Sequence, residues 1–301
     1  MKWWPLVAEA IPLDSRWLAA HPLPELPSNT DKNSRGRVLA IGGSRFVAGG
    51  LKLTGEAALR AGAGKLQFAT IGSVALALGL AVPEAGVIAL PEDPDGELGE
   101  ESCNIVEAAV EKCDCVVLGP AMTSVEAALP LLRAVLETLS EDQAAVLDAA
   151  AVEAARRMPE LVKALNGRVV ITPHAGEMAA LLDEEADAMI RDPAGAVDRA
   201  VDLTGAVVML KGEHSLLGSP DGALLDYAGG GAGLATGGSG DVLAGILAGL
   251  LARGQAPFDA AAWAIWLHGE AGRRLSEERG PLGYLARELS PTIPALMRGV
   301  I

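Results

Sequence analysis

Residues 168–177 read RVVITPHAGE, an apolar run that stops abruptly at a small polar segment. The same order occurs at four other places, separated by Ala- and Leu-rich segments with helical spacing, such as residues 125–139. Near-continuous apolar strands that alternate with helices indicate a three-layer α/β/α fold with a mostly parallel central sheet. Residues 220–222, Pro-Asp-Gly between apolar neighbours, predict a hairpin at an edge of this sheet. The other apolar runs are RVLAI (37–41), CVVLG (115–119), AAVLD (144–148) and AVVML (206–210).

A glycine-rich loop precedes an apolar helix in LATGGSGDVLAGILAGLLARG, residues 234–254. Loop residues 237–240 carry almost no side chain, and Asp241 follows them directly. Because the first N–H groups of a helix have no partner inside it, such a loop lets an anion reach several of them at once. A carboxylate at the edge of this hole suits phosphoryl transfer, where it takes the proton of the attacking hydroxyl. For this stretch alone, Asp241 as a simple helix N-cap is an equally good interpretation.

The composition excludes several classes of function. The formal net charge of −15 over 301 residues argues against binding duplex nucleic acid. The longest uncharged apolar helix candidate, residues 242–252, is well short of the roughly 18 residues that a membrane span needs. Three cysteines without zinc-site spacing predict reduced thiols, so we expect a cytoplasmic protein with no membrane partner. The Pro-rich residues 1–35 are expected to form an N-terminal arm before a single domain of residues 36–301.

Eight motifs, in one order from about residue 30 to the C-terminus, resemble those of a known family. The two most specific are TPHAGE (172–177) and TGGSGDVLAG, which lies within residues 235–252. Together the motifs are similar to those of the dehydratase that repairs hydrated NADH and NADPH, a branch of the ribokinase-like superfamily. The other six are GRVLAIGGS (36–44), EAALRAGAG (56–64), LGP (118–120), VLDA (146–149), LKG (210–212) and LHGEAG (267–272).

The resemblance implies a ribokinase-like fold and a dehydration driven by ADP or ATP with Mg²⁺. The nucleotide would phosphorylate the hydroxyl of the hydrated nicotinamide ring, and loss of phosphate would then restore NADH or NADPH. Hydroxide is a poor leaving group and phosphate a good one, so the chemistry of the substrate agrees with this sequence of steps. The family also implies a homo-oligomer, with a tetramer favoured.

The resemblance assigns roles to residues that match its motifs. Asp241 is expected to deprotonate the ring hydroxyl, and Glu177 to hold the metal ion through water. Without the motifs, Glu177 would be interpreted as a helix N-terminal carboxylate. The anion hole is expected at Gly237, Gly238, Ser239 and Gly240; the substrate site at Gly50, Gly119, Ala121, His174 and Asp241; and the nucleotide site at Lys211, Gly212, Glu213, His214, Ser215 and Gly240.

Two departures from the family pattern fall in the expected substrate site: Gly50 stands where alanine is usual, and Ala121 where glycine is usual. Two alternative functions therefore stay open. One is a kinase of the same superfamily that phosphorylates a small alcohol or vitamin precursor. The other is a catalytically idle relative that only binds nucleotide. The motifs at 36–44 and 172–177 favour the dehydratase over the kinase.

Overall fold

One mixed sheet organises residues 10–25 and 30–298, which the computed structural model describes. The strands are β1 (Ile11–Pro12), β2 (Arg37–Ile41), β3 (Lys65–Ile71), β4 (Ala85–Leu90), β5 (Cys115–Leu118), β6 (Ala144–Leu147), β7 (Val169–Ile171), β8 (Val207–Leu210), β9 (Ser215–Gly218) and β10 (Leu224–Tyr227). Their order across the sheet is β1-β10-β9-β8-β7-β6-β5-β2-β3-β4. Only β9 runs antiparallel to its neighbours, β8 and β10. The mostly parallel sheet and the hairpin at residues 220–222 are therefore confirmed.

Helices connect the strands and cover both faces of the sheet. Their bounds are α1 (Ser15–Ala20), α2 (Gly50–Arg60), α3 (Gly72–Ala81), α4 (Cys103–Val110), α5 (Val125–Thr138), α6 (Ala150–Ala155), α7 (Pro159–Lys163), α8 (Ala175–Leu182), α9 (Ala186–Arg191), α10 (Pro193–Thr204), α11 (Ser239–Ala252), α12 (Pro257–Arg279) and α13 (Ile293–Arg298). None of the helices described here is both long and apolar enough to cross a bilayer.

The strands bury side chains on both faces, as their continuous apolar sequences predict. In β2, Val38 and Ala40 pack into one core with α2, α11 and α12. Their neighbours Leu39 and Ile41 point to the other face and pack into a second core with α4, α5 and α10. Successive residues of a strand point to opposite faces, so a sheet between two helical layers needs an apolar residue at every position. The predicted three-layer α/β/α architecture is confirmed.

Close packing of α11 on α2 fixes the first turns of these two helices beside each other. A Cβ at Gly245 would lie 2.1 Å from the carbonyl oxygen of Thr54, and one at Gly249 2.5 Å from that of Ala58. These contacts exclude any side chain, which explains the two glycines four residues apart in the apolar helix. The resulting geometry brings Asp241, in the first turn of α11, next to Gly50, the first residue of α2.

Part of the predicted N-terminal arm lies against the domain. Strand β1 pairs with β10 at the sheet edge, and Leu18 of α1 is fully buried. The indole nitrogen of Trp263 donates a hydrogen bond of 2.7 Å to the carbonyl oxygen of His21. The boundary at residue 36 stays a prediction, and residues 1–9 and 26–29 of the arm lie outside the described residues.

Candidate active site

The glycine-rich loop leads into α11 through a left-handed turn. Gly238 has φ +89° and no side chain to cap the helix, so the first N–H groups of α11 face outward from it. The N–H of Ser239 already donates to the carbonyl oxygen of Thr236 at 3.2 Å. The N–H groups of Gly237, Gly238 and Gly240 donate to no acceptor within the described part of the chain. Of the four residues expected to form the anion hole, three therefore offer a free amide.

Ser239 points away from the loop into the protein. Its side chain is buried, and its hydroxyl lies 2.9 Å from Nε2 of His268, the buried histidine of α12. Burial is the main reason why the pKa of His268 falls to about 4, and Lys211 adds to this effect. A neutral imidazole therefore supports the start of α11 at physiological pH. Ser239 positions the loop through its side chain and supplies no N–H for an anion.

Asp241 lies at the edge of the loop with an unusually high pKa. Burial, followed by the nearby carboxylate of Asp148, raises the pKa of Asp241 to about 6, although Lys211 acts in the opposite direction. A Cβ added to Gly50 would lie 3.4 Å from Oδ1 of Asp241. A carboxylate that titrates near neutral pH is suited to accept a proton and release it again.

A lysine joins the loop to two further carboxylates. Lys211, the residue after β8, has its ammonium nitrogen 2.8 Å from Oδ1 of Asp148 and 3.6 Å from Oε2 of Glu177. Burial disfavours the charged form, but Asp148, Glu177 and Asp241 together outweigh it and raise the pKa of Lys211. A Cβ on Gly240 would lie 3.5 Å from the same ammonium. A protonated lysine is thus held directly beside the free amides.

His174 forms the N-cap of α8. Its Nδ1 accepts hydrogen bonds from the N–H groups of Gly176 at 3.0 Å and Glu177 at 3.2 Å. The carboxylate of Glu177 in turn accepts the backbone N–H of His174 at 2.8 Å, which completes a capping box. These bonds leave Nδ1 without a proton, and Nε2 lies 3.5 Å from Oε1 of the same Glu177. The side chain of His174 is 60% exposed.

A cavity of about 760 Å³ opens beside the loop, between the strand ends and α12. Seven residues predicted for the site line it: His174, Lys211, Gly212, Glu213, Ser215, Ser239 and Gly240. The other lining residues include an apolar set formed by Tyr227, Leu234, Leu243 and Ile265. The cavity therefore offers the free amide of Gly240 and the cation of Lys211 at one end and an apolar wall along its side.

These features agree with comparisons to known proteins. A family model described as NAD(P)H-hydrate dehydratase matches residues 38–295. The chain belongs to this family. It is 44% identical to the ADP-dependent (S)-NAD(P)H-hydrate dehydratase of Xanthomonas campestris pv. campestris, over 93% of each chain. It is 33% identical to the bifunctional NAD(P)H-hydrate repair enzyme Nnr of Moorella thermoacetica, and the match covers 96% of this chain but 54% of that enzyme.

Solved structures support the same fold. A ribokinase-like superfamily protein from Enterococcus faecalis V583 matches with a TM-score of 0.82 and 26% identity, over 97% of this chain and 96% of that one. The ADP/ATP-dependent NAD(P)H-hydrate dehydratase of Bacillus subtilis, co-crystallised with ATP and Mg²⁺, matches with a TM-score of 0.81 over 98% of this chain and all of that one. At 24% identity, this second match shows the fold alone. The family and ribokinase-like fold predicted from the motifs are confirmed.

Eight of the predicted residues are not among those that line this cavity, and they include Asp241, Gly237, Gly238 and Glu177. Gly50 and Ala121 face each other on the Asp241 side of the loop, where a Cβ at Gly50 would lie 2.7 Å from the methyl of Ala121. A Cβ at Gly119 would lie 1.9 Å from the carbonyl oxygen of Asp148, so this glycine is needed where two strand ends meet. The ring of His214 lies 3.1 Å from the carboxylate of Asp226 instead of facing the cavity. The roles of these residues stay predictions.

Sequence reasoning missed the apolar wall and left two roles open for Asp148. Asp148 has two plausible roles from sequence, crevice carboxylate or helix cap, and the structure shows it in the crevice, where the hydroxyl of Thr172 also donates to it at 2.7 Å. The motif at 267–272 carries a usable signal for the wall, because a Cβ at Gly269 would lie 2.2 Å from the hydroxyl of Tyr227. That glycine therefore lets the tyrosine ring close one side of the cavity.

The side chains around Glu177 fit a metal ion only if other groups supply most of its ligands. Within residues 10–25 and 30–298, no three His, Cys, Asp or Glu side chains are grouped to hold a metal ion. The ammonium of Lys211 already lies near both Asp148 and Glu177. Magnesium keeps several waters and is commonly bound through one or two carboxylates and substrate phosphates. The donor set thus fits an ion that arrives with a nucleotide and contacts Glu177 through water.

Proposed function

We propose that this protein is a nucleotide-dependent dehydratase that converts hydrated NADH and NADPH, in the S form, back to NADH and NADPH. Asp241 carries the proposal: a carboxylate with a pKa of about 6 stands beside three free amides and a lysine. The 44% identical relative, which is named as such a dehydratase, supports the choice of substrate. Because that relative is named as ADP-dependent, we propose ADP as the phosphoryl donor.

In the first step, Asp241 takes the proton of the ring hydroxyl. The hydroxyl oxygen attacks the terminal phosphorus of the nucleotide, and the bond from this phosphorus to the bridging oxygen breaks. The amides of Gly237, Gly238 and Gly240 stabilise the negative charge on the transferring group, and Lys211 adds a positive charge beside them. Glu177 would hold, through water, a magnesium ion that arrives with the nucleotide, and that ion would neutralise phosphate charge.

In the second step, the ring loses the new phosphate ester. The lone pair of the ring nitrogen forms a double bond to carbon while the carbon–oxygen bond breaks and phosphate leaves. Loss of a proton from the neighbouring ring carbon then restores the dihydronicotinamide. The net reaction converts the hydrate and ADP or ATP to NAD(P)H, phosphate and the nucleotide with one phosphate fewer. In this step the protein holds the ester and orients the ring. We propose that His174, Gly50 and Ala121 face the substrate. We also propose that residues 211–215 contact the nucleotide.

The direct test is to incubate the protein with hydrated NADH plus ADP or ATP and follow the return of dihydronicotinamide absorbance. Asp241→Asn is expected to lower the rate by about 10²–10⁴-fold and to leave nucleotide binding, measured by calorimetry, nearly unchanged. Asp259→Asn is a matched control, because Asp259 lies in the first turn of α12 and burial also raises its pKa. An unchanged rate in Asp241→Asn would remove this residue from the mechanism.

The same assay separates the alternatives. A kinase would consume a free alcohol and accumulate a stable phosphate ester, whereas an idle relative would bind nucleotide without turnover of hydrated NADH. We also propose a homo-oligomer, with a tetramer favoured, in the cytoplasm. The three free cysteines, two of them buried, support a reducing compartment.

A further inference from the structure

A second cavity lies at the opposite end of α11 from the glycine loop. It has a volume of about 480 Å³ and is formed by the ends of α2 and α11 together with α13. Because α11 has 14 residues, the two ends of this helix are about 20 Å apart. The cavity is therefore separate from the candidate active site. Its lining residues are Arg35, Leu59, Arg60, Gly62, Arg253, Pro294, Met297 and Arg298.

Four of the eight lining residues are arginines, in a chain with 24 basic and 39 acidic residues. No carboxylate of the described residues lines the cavity with them. Burial, and then the positive charge of the nearby Arg35, lower the pKa of Arg253. Like charges around one cavity cost free energy unless an anion lies between them.

Helix capping accounts for only part of this cluster. The Nε of Arg35 donates to the carbonyl oxygen of Gly62 at 3.2 Å. The two terminal nitrogens of Arg253 donate to the carbonyl oxygens of Ala61 at 3.2 Å and Pro24 at 3.4 Å. However, the Nε of Arg253 is buried without a hydrogen-bond partner in the described part of the chain. A buried N–H of this kind is costly unless a ligand or water accepts it. Arg60 and Arg298 are exposed at the rim, where their guanidinium groups are free to close on a ligand.

We propose that this cavity, called here the arginine pocket, binds a small molecule with two or more adjacent phosphate groups. Guanidinium groups bind phosphate oxygens through paired N–H donors, and several of them match a chain of phosphates. A volume of about 480 Å³ accommodates a ligand of this size. Leu59, Pro294 and Met297 give the pocket an apolar side, which suits an organic group attached to the phosphates. The proposal does not depend on the function proposed for the other cavity.

The test is calorimetric titration of the full chain with inorganic pyrophosphate at low salt. Arg60→Gln/Arg298→Gln removes two exposed cations of the pocket, and Arg133→Gln/Arg191→Gln, on exposed arginines of α5 and α9, changes the net charge equally. We expect the wild type and the control to show a binding event that is at least about tenfold weaker in the pocket variant. An unchanged isotherm in the pocket variant, or an equal loss in the control, would overturn the proposal.

A second arm identifies the source of the phosphates. If the natural ligand is a nucleotide, ADP binds the wild type at two sites and the pocket variant at one. If it is a free polyphosphate, pyrophosphate binds the pocket and ADP shows a single site in both proteins. Absence of pocket binding by both probes contradicts the proposal.

Discussion

At the scale of single residues, the charges around Asp241 set the pH at which the proposed base works. Burial and Asp148 raise its pKa to about 6, and Lys211 opposes them. Since the base must be deprotonated, we expect kcat/KM for hydrated NADH to reach half its plateau near pH 6 and to fall about tenfold per unit below it. Rates measured over about four pH units, from roughly pH 4.5 to 8.5, check this profile.

Two substitutions shift this midpoint in opposite directions. Asp148→Asn removes a neighbouring negative charge, so the midpoint moves down; Lys211→Met removes the opposing positive charge, so it moves up. Both variants are expected to lower the plateau, and the position of the midpoint is the informative quantity. A midpoint that stays constant in both variants would show that another group controls the profile.

Gly50 and Ala121, the two departures from the family pattern in the expected substrate site, share one space beside Asp241. A Cβ at Gly50 would lie 2.7 Å from the methyl of Ala121, and Ala121 itself has φ +61°. Gly50→Ala alone should therefore lower kcat/KM at least about tenfold, because the added methyl overlaps that of Ala121 and displaces the Asp241 side of the site. Gly50→Ala/Ala121→Gly should recover activity to within a few-fold, with a coupling of about 1 kcal/mol or more.

Ala121→Gly alone is the matched control for this pair. This substitution relieves the strain of an alanine with positive φ in the folded state, but it also gives the unfolded chain more conformational freedom. The two effects on the free energy of unfolding therefore largely cancel. If the double variant is no more active than Gly50→Ala, the two positions are not coupled. Sequence reasoning noted each departure separately and could not connect them, because residues 50 and 121 come together only through the fold.

At the scale of elements, His174 both caps the N-terminus of α8 and borders the cavity. Asparagine is a good N-cap without an imidazole, whereas alanine removes both the cap and the ring. We expect His174→Ala to lower the free energy of unfolding by about 1 kcal/mol and His174→Asn to stay close to the wild type in denaturant titrations. If the ring contacts substrate, both variants raise KM for hydrated NADH. Wild-type KM in His174→Asn would leave capping as the only role.

The strands and the glycine loop could be predicted because their signals are local. RVLAI gives β2 and RVVIT contains β7, since apolar runs of this length suit a sheet buried on both faces. The partner of Lys211 could not be predicted, because Asp148 lies 63 residues away along the chain. The role of Ser239 was equally hidden, since only the packing of α12 against α11 brings His268 to its hydroxyl. Local patterns thus locate the site, whereas pairs between elements decide its electrostatics.

At the scale of the whole molecule, the described chain exposes an apolar face at the end of its sheet. Strand β4 is the last strand of the described sheet, and α3, which precedes it, contains no charged residue. Leu76 and Leu80 of α3, one helical turn apart, are 77% and 76% exposed. Such a face is unusual in a protein of net charge −15 and is typical of a surface that another molecule covers. Because β4 offers an unpaired strand edge beside it, we expect a second copy of this chain to pack there.

This expectation makes the oligomeric state testable by substitution. Leu76→Glu/Leu80→Glu should convert the oligomer to smaller species in light scattering coupled to size-exclusion chromatography, since charges buried in an interface without partners are costly. Ile190→Glu is a control for a charge added at an exposed apolar residue, because Ile190 is 71% exposed on α9, which packs against α8 and α10. A wild type that elutes as a monomer, or a double variant with the mass of the wild type, would exclude this face as the interface. Because β2 and β3 separate β4 from β5, we expect the smaller species to keep nucleotide binding even where its turnover falls.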